Sequence, residues 1–186
     1  MGLVMTSLIA GAIASFMISV ARCWNASEEL QTATIRASQF TERLASKLRG
    51  AKLIGYWNDG SIGSACLIYW RDANNDGVMV LSELGAIAYN PASHTINFHA
   101  QTVAVGDPDP VCTTLDFTTG VVATTLISTG RAKPMIRDVS SAQLSVSNAS
   151  SLTVAPTVAW VVDFQESDSS VVTRVCTASL RAPATP

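Results

Sequence analysis

Apolar residues fall along this chain in three different patterns. From Leu3 to Ala21 they run nearly unbroken, LVMTSLIAGAIASFMISVA, nineteen residues without a charged side chain. As a helix rising about 1.5 Å per residue, this run reaches about 28 Å, close to the hydrocarbon thickness of a bilayer. From Leu30 the spacing changes. Leu30, Ala33, Ala37, Phe40, Leu44 and Leu48 recur every three or four positions, the stripe of an amphipathic helix. Glu28, Glu29, Gln31, Arg36, Glu42, Arg43, Lys47 and Arg49 fill the positions around it. No proline interrupts Leu3 to Arg49, so both patterns are expected on one helix about 70 Å long. Lys47, Arg49 and Lys52 suit the negative pole of its dipole, and Gly50 is expected to cap it.

Beyond Gly50 short runs rich in valine, isoleucine, threonine and aromatics alternate with turn residues: ACLIYW, LGAIAY, HTINFH, QTVAV, CTTLDF, TVAWVVDF and SVVTRVCTASLR. Ile96 and Phe98 share one face of their strand, and Val172, Cys176, Ala178 and Leu180 share one face of the last. Polar breaks, VGDPDP and SSAQLSVSNASS, separate the runs, which reads as antiparallel sheet with no further helix. The expected fold class is α+β. A long N-terminal helix, with a transmembrane half (1–23) and an amphipathic stalk half (24–50), packs on a mainly antiparallel β head (51–186).

Composition sharpens this. Hydrophobic residues make up 48% of the 186 and charged residues only 14%, against a usual share of about 25%. A net charge of −2 and a pI near 5.6 give no broad field for gripping nucleic acid, so none is expected as a partner. A cleaved signal peptide wants a basic start, which Met1-Gly2 does not supply. A lipid anchor on Cys23 is disfavoured by Arg22 before it. The apolar run reads as a retained membrane anchor.

This layout, with the segments WNASEELQTATIRASQFTERLASKLRGAKLIGYW and LIYWRDANNDG…LSELGAIAYN, resembles the type IV pilin and type II secretion pseudopilin superfamily. The likeness is closest to the larger minor pseudopilins and is carried by about the first 55 residues. It implies a bacterial, prepilin-type structural subunit, single-pass in the cytoplasmic (inner) membrane with its head in the periplasm. Such a subunit assembles through its helix with other pilin-like subunits into a short fibre of a protein secretion or pilus machine, driven by an ATPase elsewhere. Ala10, Gly11, Ala12 and Ala14 would let neighbouring helices approach closely. One departure stands out. The family carries a basic leader, a cleavage glycine and a glutamate a few residues on, whereas this chain starts MGLVMTSLI. Either Gly2 is the cleavage glycine, with Ser7 in the glutamate's place, or Gly2-Leu3 matches a mid-membrane glycine and the leader and glutamate lie upstream. A rival reading from another class is a membrane-tethered periplasmic binding or sensing module that binds calcium and forms no fibre.

Calcium enters through one stretch, RDANNDGVMVLSEL. Asp72, Asn74, Asp76, Gly77 and Glu83 stand in the D-x-[DN]-x-[DN]-G-x₅-E spacing of an EF-hand loop. Asp72, Asn74 and Asp76 would offer side-chain oxygens, Val78 its carbonyl and Glu83 a bidentate carboxylate. Val80 at the ninth position offers nothing, so the expected affinity is weak, on the order of 10⁻⁴ M. The flanking segments read as strands rather than helices. The plainer alternative is a hairpin connection turning at Asn75-Asp76-Gly77.

The remaining chemistry is sparse. Cys23, Cys66, Cys112 and Cys176 make no zinc motif, and Cys112 with Cys176 is the preferred disulfide pair because both lie in expected strands. His94 and His99 flank one strand an odd number of residues apart, so they point to opposite faces. Trp24 is expected at the membrane interface, Trp57 between stalk and head, and Trp70 and Trp160 in the sheet core. No nucleophile elbow, phosphate loop or HExxH motif occurs, and the chain is not expected to be an enzyme.

Overall fold

The computed structural model describes residues 2–57, 65–103, 107–113, 116, 120–147, 157–165 and 171–179, with side chains from residue 13 onward. A single helix, α1 (Gly2–Leu48), takes up both N-terminal patterns. It ends as the composition demands: Gly50 turns to φ +101, and the Ala51 amide donates to the Leu48 carbonyl at 3.0 Å. Glycine takes this left-handed conformation without a Cβ clash, which stops the helix and aims the chain into the first strand.

Five strands then form one antiparallel sheet in chain order: β1 (Leu53–Trp57), β2 (Cys66–Trp70), β3 (Leu84–Asn90), β4 (Thr95–Ala100) and β5 (Arg131–Arg137). At Asp138, φ +59, the chain leaves this sheet for a second one, β6 (Val139–Ser147), β7 (Thr157–Gln165) and β8 (Val171–Ser179), also antiparallel. A second helix, α2 (Val121–Thr129), lies over the first sheet and sets Val122, Ala123 and Leu126 against Cys66, Ile68, Leu84, Ala86 and Ala88. Gly120 starts α2 at φ +78, and a Cβ there would run into the Trp57 ring.

The other face of the first sheet meets α1. Ala33, Ala37, Phe40, Leu44 and Leu48 are buried with Leu67, Tyr69, Ile87 and Ile96 of the first sheet and with Val158, Trp160, Val162, Cys176 and Ala178 of the second. Phe40 meets Trp160 edge-on, with centroids 6.2 Å apart and planes at 84°. The seam is edged by polar contacts: Arg36 to Asp138 at 2.9 Å, Arg43 to the Met135 carbonyl at 2.6 Å, and Arg174 to Thr34 Oγ1 at 3.1 Å. Burial follows this layering. In β3, covered on both sides, every residue from Leu84 to Tyr89 is buried. In β7, covered on one side, Val158, Trp160, Val162 and Phe164 alternate with half-buried neighbours.

The expected fold class needs correction, although α and β elements do occupy separate regions. The β part divides into two antiparallel sheets, a division the expected β head did not specify. A second helix stands where none was expected. Among the described residues the buried side chains of α1 begin at Ala33, and Leu30, read as part of the packed stripe, is 46% exposed. No helix among the described residues is long and apolar enough to cross a membrane; about half of the segment assigned to the transmembrane half, 1–23, has its side chains outside the described residues. Of the small residues assigned to helix contact, Ala14 is exposed, while the side chains of Ala10, Gly11 and Ala12 lie outside the described residues. The strands expected at QTVAV and CTTLDF do not form among their described residues, and the supposed break at SSAQLSVSNASS contains most of β6. Leu180 also lies outside the described residues.

Candidate functional site

Two features carry potential function: the loop between β2 and β3, and the part of α1 that leaves the sheets.

The loop hangs between paired strand ends, Trp70 opposite Leu84, and closes through one 3₁₀ turn at Leu81–Glu83. Strands rather than helices flank it, as the sequence suggests. Asn75 at φ +60 and Gly77 at φ +74 make its sharp bends. Short side chains hold the curve. The Asp76 amide donates to Asn74 Oδ1 at 3.1 Å, the Val78 amide to Asp76 Oδ1 at 2.7 Å, and the Gly77 amide to Asp72 Oδ2 at 3.1 Å. Glu83 reaches back across the loop, accepting from the Ala73 amide at 2.9 Å and from the Trp70 indole at 3.1 Å. The five residues with proposed ligand roles therefore do share one loop.

Whether they suit a cation depends on their oxygens. Asp72 has no accessible side-chain surface and is bridged by Lys52 at 2.6 Å on Oδ2. Its other oxygen, Oδ1, is buried without a hydrogen-bond partner. An unpaired carboxylate oxygen in such a place is costly, and a divalent cation would satisfy it. The Lys52 ammonium, against the opposing effect of burial and with help from the Gly77 amide, holds the Asp72 carboxyl below the usual carboxylate range. On the other side, no three His, Cys, Asp or Glu side chains among the described residues are gathered as a metal requires. The donor set thus has the right chemistry and one orphaned oxygen, but its carboxylates have not converged. Lys52 was not legible as a member of this loop. Its backbone amide bonds the Trp70 carbonyl at 2.8 Å, a placement that follows only from the β1–β2 register.

The second feature is the free part of α1. Ile13, Phe16, Met17, Val20, Ala21 and Trp24 line one apolar face, with Phe16 70%, Met17 66% and Trp24 75% exposed. At about 100° per residue this stripe lies roughly 150° around the helix from the seam of Ala33 to Leu48. Ser15, Ser19 and Arg22 fall instead on the side that the sheets occupy further along. The bulky apolar face has changed sides. Ile18, 54% exposed, lies outside this stripe, so the one-sidedness is partial, and within an all-apolar run it is hidden because periodicity is conspicuous only against polar neighbours.

The cysteines do not pair as expected. Cys176 is buried under α1, its thiol near the Ala37 carbonyl at 3.6 Å, whereas Cys112 is half-buried beside the α2 layer, and both are free thiols. The first sheet comes between those two layers. Cys66 is buried and pushed up to about 12 by desolvation, as an inert core thiol is; Cys23 is exposed.

His99 is buried in β4 with Nδ1 unpartnered, and burial lowers its pKa below the ordinary 6.5. The unfolded chain therefore binds a proton there that the folded chain refuses, so stability falls as pH drops below 6.5. Melting temperature measured from pH 7 to 5 should decline less steeply in His99→Gln than in the parent; equal slopes would remove His99 from the account.

Comparison with protein-family models, with curated proteins and with solved structures gives no match to this chain.

Proposed function

We propose that this chain is a pilin-like structural subunit that assembles with other pilin-like subunits through the free part of α1. One observation carries the reading: a bulky apolar stripe on a helix that its own sheets hold by the opposite side. A face turned away from its own head is available to a neighbour and useless to the fold. In this reading the inner membrane holds the free subunit before assembly, its head lies in the periplasm, and the work is mechanical rather than catalytic. The secretion or pilus setting comes from the sequence resemblance alone.

The test is directional. In a Cys23→Ser, Cys112→Ser background, Val20→Cys lies on the stripe and Ser19→Cys lies roughly opposite. With the full chain in native membranes, a short bifunctional maleimide should yield covalent oligomers from Val20→Cys and few from Ser19→Cys. Cross-linking from both alike, or from neither, sinks the reading.

The Asp72 Oδ1 atom favours a second, compatible proposal: the β2–β3 loop takes calcium as a structural ion. Asp72, Asn74, Asp76, the Val78 carbonyl and Glu83 would hold it, stabilising the head by linkage. Calcium without cross-linking would instead support a tethered binding or sensing module.

A further inference from the structure

We propose that Lys52 is the built-in cation of the β2–β3 loop, pairing with Asp72 when no metal is present and opposing any divalent ion that enters. The proposal rests on the calcium reading of that loop and adds what sets its affinity. A carboxylate without accessible surface needs a partner, because desolvation otherwise disfavours its charge. Asp72 is in that position, and Lys52 supplies the partner at 2.6 Å. The hydrogen bonds from the Lys52 ammonium and the Gly77 amide fall on Oδ2, and the Asn75 backbone also favours the charged carboxylate, while Oδ1 is buried without a hydrogen-bond partner. The two oxygens are thus unequal: one is taken by a tethered ammonium, the other is buried without a hydrogen-bond partner and would be satisfied by a second cation.

Lys52 is held at its base, and its tip, bound to Asp72, lies at the surface. Its backbone amide bonds the Trp70 carbonyl at 2.8 Å, its ammonium stands 5.8 Å from the Trp70 ring centroid, and its side chain is about half exposed. The same Trp70 indole donates to Glu83, the last residue of the proposed ligand set. Lysine, tryptophan and both end carboxylates therefore form one connected group. Two cations sharing one carboxylate repel, and affinity for calcium rises with the net negative charge of its loop. With Lys52 present the loop holds its shape without metal and binds it weakly. Without Lys52 the buried carboxylate has lost its partner and the site has gained a negative charge.

The full chain is compared with Lys52→Met and with Lys52→Gln, which retains a hydrogen-bond donor for Asp72 but no charge. Melting temperature is recorded in chelator and across a calcium titration. Lys52→Met should melt below the parent in chelator, gain more from calcium than the parent does, and bind it about tenfold more tightly. Lys52→Gln should bind as tightly with a smaller loss in chelator, so it serves if Lys52→Met fails to fold. A calcium response confined to the variants supports Lys52 as the resident cation while ending the calcium reading of the natural loop. Equal affinity in parent and variants overturns the proposal and leaves calcium standing. No calcium response in any of the three overturns both.

Discussion

Phe40→Ala is expected to destabilise the protein by about 3–5 kcal/mol, the largest effect of any single truncation in α1. Phe40 has no exposed surface and meets Trp160 edge-on at the point where α1 crosses the second sheet. Trp160 is itself fully buried, so neither ring can swing out to fill the space left by the other. Leu44, Val158 and Cys176 of the same buried cluster are fixed by the helix and by the β7–β8 ladder. Such a site relaxes little, which puts the cost toward the upper end of the range. Leu30→Ala is the internal comparison. Leu30 belongs to the same sequence stripe, yet it is half exposed and should cost well under 1 kcal/mol, as an exposed side chain does. Urea unfolding of the two variants beside the parent measures both. Similar losses would mean that the seam from Ala33 to Leu48 is not what joins helix to sheets.

The contrast between Phe40 and Leu30 also shows how far the sequence could be read. Period-3.6 spacing identified the seam because an amphipathic helix on a sheet leaves that mark in any sequence. It could not show where the sheet ends, and Leu30 lies beyond the edge. The strands β2, β3, β4, β7 and β8 were legible as apolar or alternating runs. By contrast, β6 was read as a break, since SSAQLSVSNASS is serine-rich and only Val139 and Leu144 of the strand are buried. Pairing with β7 along its length, supplied by residues distant in sequence, makes it a strand. In β5, Arg131, Lys133 and Pro134 concealed an edge strand, where proline removes no needed ladder bond. The opposite error hid α2. VVATTLIST is β-branched and threonine-rich, so its propensity speaks for strand, but docking of Val122, Ala123 and Leu126 on the first sheet overrides it. At the loop the ligand-type residues were legible by spacing, whereas Lys52, twenty positions before Asp72, enters only through the strand register.

Phe16→Asp combined with Met17→Asp should abolish assembly while leaving the head intact. Both side chains are mostly exposed and touch none of the buried clusters, so the head's melting temperature should stay within about 1 °C of the parent, as expected for surface changes away from the core. In apolar surroundings each aspartate costs about 2.5–3.5 kcal/mol, whether the face meets lipid or another helix. A free subunit held in lipid bears the same penalty, so assembly is lost through failed membrane insertion as well as through the missing Phe16 and Met17 contacts. Phe16→Ala with Met17→Ala separates charge from shape, since it removes contact area without adding a polar group and should reduce cross-linking through Val20→Cys only in part. Ser15→Asp is the decisive companion. It places one charge one residue away but on the side turned from the stripe, so an interface confined to the stripe tolerates it. If Ser15→Asp disrupts assembly as thoroughly as the paired aspartates, the helix is apolar in function all the way round. The one-sided contact then gives way to simple immersion in lipid. If the paired aspartates assemble normally, the free part of α1 is not the joint between subunits.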